Sequence, residues 1–354
     1  MPSGGRDRLT IATVFDASSN SLNAIRLLLA LAVIVSHSWA IGHFGPEPEA
    51  GGARLGTWAV LGFFGISGFL ITRSRLSGQT ALNFYRGRAL RIFPAFIVSL
   101  IVVAFVLAPL SIVFDPAGHW SFVNSFSYFV RNFALYPPIL QQDAIGDTLQ
   151  HVPYRGVWNG SLWTLFWEAV CYVALGVAGS FLSRRGLKIG SVAVFAAASV
   201  LSLLNETALV PLPELAGRVL PLFAIFAAGA IVFLFADRIR VSAVTVGAAL
   251  VVLAGAVLAG VVQSLGALPL IFLIMLLGQV LSLNRVGSDY DLSYGVYIYA
   301  WPVQQYVFLV GGNDAPLLVE IVVSILATTA LAYLSSRYIE KPALLLKRAA
   351  PGAR

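Results

Sequence analysis

An arginine and a histidine, Arg26 and His37, stand eleven residues apart inside an unbroken apolar run from Leu22 to Gly42. Eleven helical steps of roughly 100° return the second side chain to within about 20° of the first, about 16 Å further along the axis. Both therefore belong on one face of one helix. An arginine in the bilayer centre costs about 2.5–3.5 kcal/mol even on lenient insertion scales. Arg26 alone could snorkel to the headgroups, but the pair on one stripe calls for a functional reason. Imidazole is the side chain suited to moving a proton near neutral pH, and guanidinium is suited to holding phosphate.

A carboxylate joins this pair as a candidate. In Asn159-Gly-Ser161-Leu-Trp163-Thr-Leu-Phe-Trp-Glu168, Glu168 is the sole acid of its apolar run. It lies about 8 residues, or ~12 Å, from that run's outer end, and His37 about 5 residues, or ~8 Å, from the outer end of its own. The two are expected at similar depth, where Glu168 would fix the tautomer of His37 and raise its basicity as a general base. Glu168 bonding to a Ser, Tyr or Trp of a neighbouring helix is the other reading of that residue.

A third feature is the basic stretch Asn83-Phe-Tyr-Arg86-Gly-Arg88-Ala-Leu-Arg91-Ile-Phe-Pro94. We read it as an inner loop, with Pro94 near the start of the next helix, where proline is tolerated. Its arginines suit bidentate phosphate binding, and basic inner loops also set topology or bind anionic lipid. His43, His119 and His151 fall in expected outer loops as solvated positions. The lone Cys171 excludes an intramolecular disulfide or a cysteine metal cluster, and no metal-ligand spacing is present.

These residues must be positioned by membrane helices. Apolar residues make up 58% of the 354-residue chain and charged ones 11%, with mean hydropathy +0.84; soluble domains carry about 25% charge. The net charge of +7 does not point to nucleic acid, because the basic residues sit in short connections between apolar runs. Ten runs can span: 22–42, 55–75, 92–114, 160–183, 189–205, 217–236, 241–262, 266–283, 292–311 and 316–338. The first reads as an uncleaved span. With both termini cytoplasmic, most Lys and Arg, from Arg6 and Arg8 to Arg354, fall on the inner side. The region 115–159, rich in aromatics and interrupted by Arg131 and Asn132, reads as an interfacial or re-entrant element on the outer side. The expected fold is all-α: a cytoplasmic tail over 1–21, one transmembrane domain over 22–342, and a cytoplasmic tail over 343–354.

Taken in order, the motifs resemble those of the acyltransferase 3 family of integral-membrane O-acyltransferases, over Asn23 to Pro342. Arg26 and His37 fit its basic-x10-His motif, Phe63-Phe-Gly-Ile-Ser-Gly-Phe-Leu-Ile-Thr72 its glycine-rich second helix, and Arg88-Ala-Leu-Arg91 its R-x-x-R motif. Ser161 to Glu168 is similar to the stretch ending in a required acid. Ser293-Tyr294-Gly-Val-Tyr-Ile-Tyr-Ala300-Trp-Pro302 and Tyr338-Ile-Glu340-Lys-Pro342 resemble the closing motifs. One departure is Ala300, where many members carry histidine.

The resemblance implies transfer of an acyl group, usually acetyl from acetyl-CoA, to a carbohydrate hydroxyl across the bacterial inner membrane. The acceptor would be exopolysaccharide, lipopolysaccharide O-antigen or a lipid-linked glycan. His37 and Glu168 are then the catalytic candidates. Arg26, Arg88 and Arg91 would hold the acyl-CoA, and Trp163, Ser161 and Tyr294 would bind substrate, with no metal. Intramembrane charge equally suits a secondary transporter or flippase for a glycolipid or acylated intermediate. Against that class, the sequence shows no half-to-half repeat and no paired broken helices.

Overall fold

The structure, a computed structural model, describes residues 9–311 and 316–348; Arg6, Arg8 and Arg354 lie outside them. Its only regular non-helical pairing, among the described residues, is a small hairpin joining Glu49–Ala50 to Ala53–Arg54 and a bridge between Thr10 and Arg240. In a bilayer an apolar segment must satisfy its own backbone groups, which the α-helix does internally. Each of the ten apolar runs holds a helix. Seven helical stretches among the described residues are long and apolar enough to cross a membrane, whereas Ala243–Leu258 and Ala267–Val280 are apolar but shorter. The chain is an all-helical, multi-pass membrane protein.

A short helix α1 (Ile11–Val14) precedes α2 (Leu22–Gly42), which carries Arg26 and His37, and α3 (Leu55–Arg75) returns antiparallel to it. Then come α4 (Ala81–Val102), α5 (Ala108–Phe114) and α6 (Phe122–Asn132), followed by α7 (Leu162–Phe181) with Glu168. After α8 (Arg184–Glu206) and α9 (Glu214–Leu234), a capping box of Ser242 and Thr245 opens α10 (Ala243–Leu258). The chain closes with α11 (Val262–Leu265), α12 (Ala267–Val280), α13 (Ser293–Gly311), α14 (Leu317–Ser335) and α15 (Lys341–Arg348). The described part of the first tail is not loose: Ile11 and Ala12 donate backbone bonds of 3.0 Å to Ile239 and Ala236.

One expectation fails. The basic stretch is no loop, because α4 begins at Ala81, where Thr80 caps it by accepting from the Asn83 N–H, and Pro94 lies inside the helix. Arg86, Arg88 and Arg91 therefore stand on the wall of a helix, and the proline is tolerated mid-helix because neighbouring groups in a bundle can re-satisfy the freed carbonyl. A widened π-turn, Val103–Leu107, then carries α4 into α5 just ahead of Pro109. Proline supplies no N–H and its ring crowds the preceding turn, so the hydrogen-bond ladder shifts. Pro342 repeats the device: the π-turn Ser336–Glu340 precedes it and turns Glu340 into the protein.

Glycine makes the closest helix crossing. A Cβ on Gly68 of α3 would strike the backbone of Phe226 on α9, and one on Gly229 of α9 would strike the backbone of Gly65 and Gly68. Helices in lipid gain stability from this intimate contact, since lipid tails compete with apolar side chains.

Residues 115–161 form no further span. Helix α6 has 11 residues, too few to cross, and it is amphipathic. Phe122, Val123, Phe126 and Val130 are exposed, while Ser125, Tyr128 and Asn132 are buried. The rest packs around the fully buried Trp158, whose Nε1 donates to Thr148 Oγ1 at 2.8 Å.

Candidate functional site

At the end of the bundle where α2, α4 and α13 begin, arginines meet carboxylates. Arg26 donates from Nη1 to Asp291 Oδ2 at 2.9 Å, and Arg91 donates from Nη2 to the same oxygen. The Nη1 of Arg91 lies 3.4 Å from Glu340 Oε2. Asp291, on the connection entering α13, also accepts from the Ser293 N–H at 3.1 Å and its hydroxyl at 2.6 Å. Burial pushes the Asp291 carboxyl up, but Arg91 and Arg26 outweigh it and hold it well below the usual carboxylate range. Arg88, one turn nearer the start of α4, makes no ion pair among the described residues, and its buried Nε has no hydrogen-bond partner. Its electrostatic neighbours are Tyr172, Arg91, Glu168 and Arg26.

From this cluster a narrow cavity of about 50 Å³ runs into the bundle. Arg26, Arg91 and Tyr294 line one end, and Thr164 and Tyr297, which hydrogen-bond one another, line it further in beside Glu168. The carboxylate of Glu168 accepts from Ser67 Oγ at 3.1 Å and from the Tyr172 hydroxyl. No hydrogen bond joins it to His37. Equal depth on two helices does not fix which way each side chain faces, and the structure groups Glu168 with the arginines.

His37 instead stands edge-on to Trp301, ring centroids 4.8 Å apart, and its buried Nδ1 has no hydrogen-bond partner. Trp301 also meets Tyr154 edge-on, ring centroids 5.2 Å apart. Tyr154 lines a second cavity, about 700 Å³, open at the opposite end of the bundle and walled also by His43, His151 and Arg155. This wall is built rigidly. Gln305 donates to the carbonyls of Tyr154 and Val157 at 2.7 and 2.8 Å, and Trp301 Nε1 donates to that of Val157 at 3.1 Å. His151 Nδ1 is 2.7 Å from the Asp115 carboxylate, so this histidine is tied to the protein rather than merely solvated. Along α13, Tyr294, Tyr297, Trp301 and Gln305 recur at helical spacing and form one stripe between the two cavities.

The remaining candidates are placed as follows. Tyr294 sits with the arginines, its ring 5.8 Å from the Arg91 guanidinium and its hydroxyl donating to Ile92 O. Trp163 stacks under Arg218 at 4.2 Å, and Ser161 is a buried residue opening α7; neither lines the two cavities. Ala300 is fully buried in the seam of α13 with α2 and α14, among Ala30, Ile34 and Ala332. Two further carboxylates, Asp291 and Glu320, belong to these surroundings without being among the sequence candidates. The latter is a buried carboxylate on α14 bonded to Ser324 at 2.8 Å and to Gln304 at 3.4 Å, and Gln304 in turn bonds to Ser38 beside His37. An ionisable group in an apolar span was the signal that could have flagged Glu320.

The helical membrane bundle thus carries its arginines at one end, a histidine beyond mid-depth and the larger cavity at the other end. The profile of a family described as an acyltransferase domain matches residues 19–337, and the chain belongs to this acyltransferase 3 family. It is 31% identical over 309 residues to the O-acetyl transferase of Shigella phage Sf6, covering 82% of this chain and 86% of that one. It is also 28% identical over 366 residues to nodulation protein 10 of Rhizobium leguminosarum bv. viciae, covering 93% and 94%. No solved structure matches. The protein is a membrane acyltransferase.

Proposed function

We propose that the enzyme takes acetyl from acetyl-CoA on the cytoplasmic side and transfers it to a saccharide hydroxyl on the far side of a bacterial inner membrane. The acceptor is exopolysaccharide, O-antigen or a lipid-linked glycan. The observation that carries this reading is the stripe on α13, which connects the arginine cluster and its narrow cavity to His37 and the outer cavity. The similarity to a phage O-acetyl transferase supports acetyl as the group moved, and most Lys and Arg lying at the arginine-rich end support that end being cytoplasmic.

In this mechanism the arginine-rich end of the bundle holds the phosphates of the donor. The thioester arm follows the passage past Glu168, whose carboxylate, with Ser67 and Tyr172, offers polar partners in an otherwise apolar lining. The acceptor enters the outer cavity, where Tyr154 presents an aromatic face for a sugar ring. As the acceptor oxygen attacks the thioester carbonyl, His37 takes its proton; the C–S bond breaks and the departing CoA sulfur recovers that proton.

The test is the acetate content of host surface glycans with wild-type protein, with His37→Ala at equal membrane expression, and with no protein. Acetate present with the wild type and absent in the other two is expected. The same acetate in all three would remove surface glycan as the acceptor.

A further inference from the structure

The arginines do not stand in equivalent surroundings. Arg26 and Arg91 are already paired, both on one Asp291 oxygen, and Arg91 reaches Glu340 as well. These bonds join α2, α4, the connection entering α13 and the π-turn before α15, elements far apart in sequence. Their side chains are about one-fifth exposed (21% and 19%). Opening such a pair to free a guanidinium for a ligand would leave Asp291 enclosed without its counter-ions, which is costly. Arg88 differs. It lies nearer the arginine-rich end and is bound to no carboxylate among the described residues, and its Nε is buried without a partner. The other cations of that end are engaged in part: Arg75 donates to Gly176 O and Ser180, and Arg86 to Leu346 O.

Building on the donor reading above, we propose a division of labour: Arg88 takes a phosphate of the CoA donor, whereas Arg26 and Arg91, locked by Asp291, are positioning residues that hold the helices around the passage. Asp291 is thus a required member of the site although it touches no substrate. The two arginines of the R-x-x-R motif have different work.

The experiment reads the melting temperature of the purified, detergent-solubilised full chain with and without CoA, and with dephospho-CoA. A ligand at free concentration L that binds the folded state stabilises it by RT ln(1 + L/Kd), so at a fixed concentration a tighter ligand raises the melting temperature more. Wild type is expected to respond to CoA. Arg88→Gln is expected to melt like wild type without ligand and to bind CoA about tenfold or more weakly, the loss of one charge-assisted phosphate contact. Asp291→Asn is expected to melt about 5 °C or more lower without ligand and still to respond to CoA, with Asp291→Glu recovering most of the loss. If Asp291→Asn does not fold, Arg91→Lys, which keeps the charge, gives the same reading: a lower melting point with the CoA response retained. An undiminished CoA response in Arg88→Gln overturns the proposal. So does a CoA response lost in Asp291→Asn or Arg91→Lys at unchanged ligand-free melting. A wild type indifferent to CoA overturns the donor reading itself, and this inference with it. A smaller response to dephospho-CoA that Arg88→Gln abolishes as a difference would assign Arg88 to the ribose phosphate.

Discussion

Replacing His37 by alanine is expected to lower the rate of acetyl transfer by about 10²–10⁴-fold, the usual contribution of a positioned general base. The fold should survive the change. The ring is held by its edge-on contact with Trp301, and its buried Nδ1 bonds to nothing, so removing it orphans no other polar group. CoA binding should survive too, because Arg26 stands about 16 Å from His37 along α2 and Arg88, on α4, counts Arg26 among its electrostatic neighbours. The measurement is thiol release from acetyl-CoA in the presence of acceptor-bearing membranes, alongside the melting temperature with and without CoA. A variant within a few-fold of wild-type rate would show that another group takes the proton. His151, lining the outer cavity with Asp115 behind it, would then be the residue to replace next.

The largest effect on the fold itself is expected at Gly68. A methyl group there meets the backbone of Phe226, and backbone cannot swing aside as a side chain can. Gly68→Ala must therefore push α3 from α9, losing contacts along the crossing, at a cost of about 2–3 kcal/mol. Gly247→Ala on α10 is the matched control, since its Cβ meets nothing within 4 Å; alanine there should be neutral or slightly stabilising. Melting temperature and size-exclusion profile in detergent would separate them. Equal behaviour of the two variants would mean that the α3–α9 crossing is looser than its glycines indicate.

These residues also show what could be read from the chain alone. The spans of α2 and α3 were legible to the residue, because a helix is what accommodates a predominantly apolar stretch of 21 residues in lipid. The face shared by Arg26 and His37 followed from helical periodicity. The start of α4 did not, because three arginines and a proline within nine residues have the composition of a loop; only the bundle around them makes a helix there tolerable. Asp291 was illegible for another reason. Its partners Arg91 and Arg26 lie 200 and 265 residues away in sequence, and no local pattern announces such a pairing. Nor could depth alone decide the neighbours of Glu168, since the azimuth of α7 is set by its packing. His151 looked like a solvated loop residue because its tie to Asp115 spans 36 positions of chain, α6 among them, and no local pattern announces it.

In the proposed reaction acetyl crosses the membrane from a cytoplasmic donor to an outer saccharide. Sealed membrane vesicles of both orientations, given acetyl-CoA labelled in the acetyl group, test it most directly. Everted vesicles, which present the cytoplasmic face to the medium, should incorporate label into saccharide, and that label should resist a membrane-impermeant esterase until detergent is added. Sealed right-side-out vesicles should incorporate none. Equal incorporation by both orientations, or label open to the esterase in everted vesicles, would contradict transfer across the bilayer.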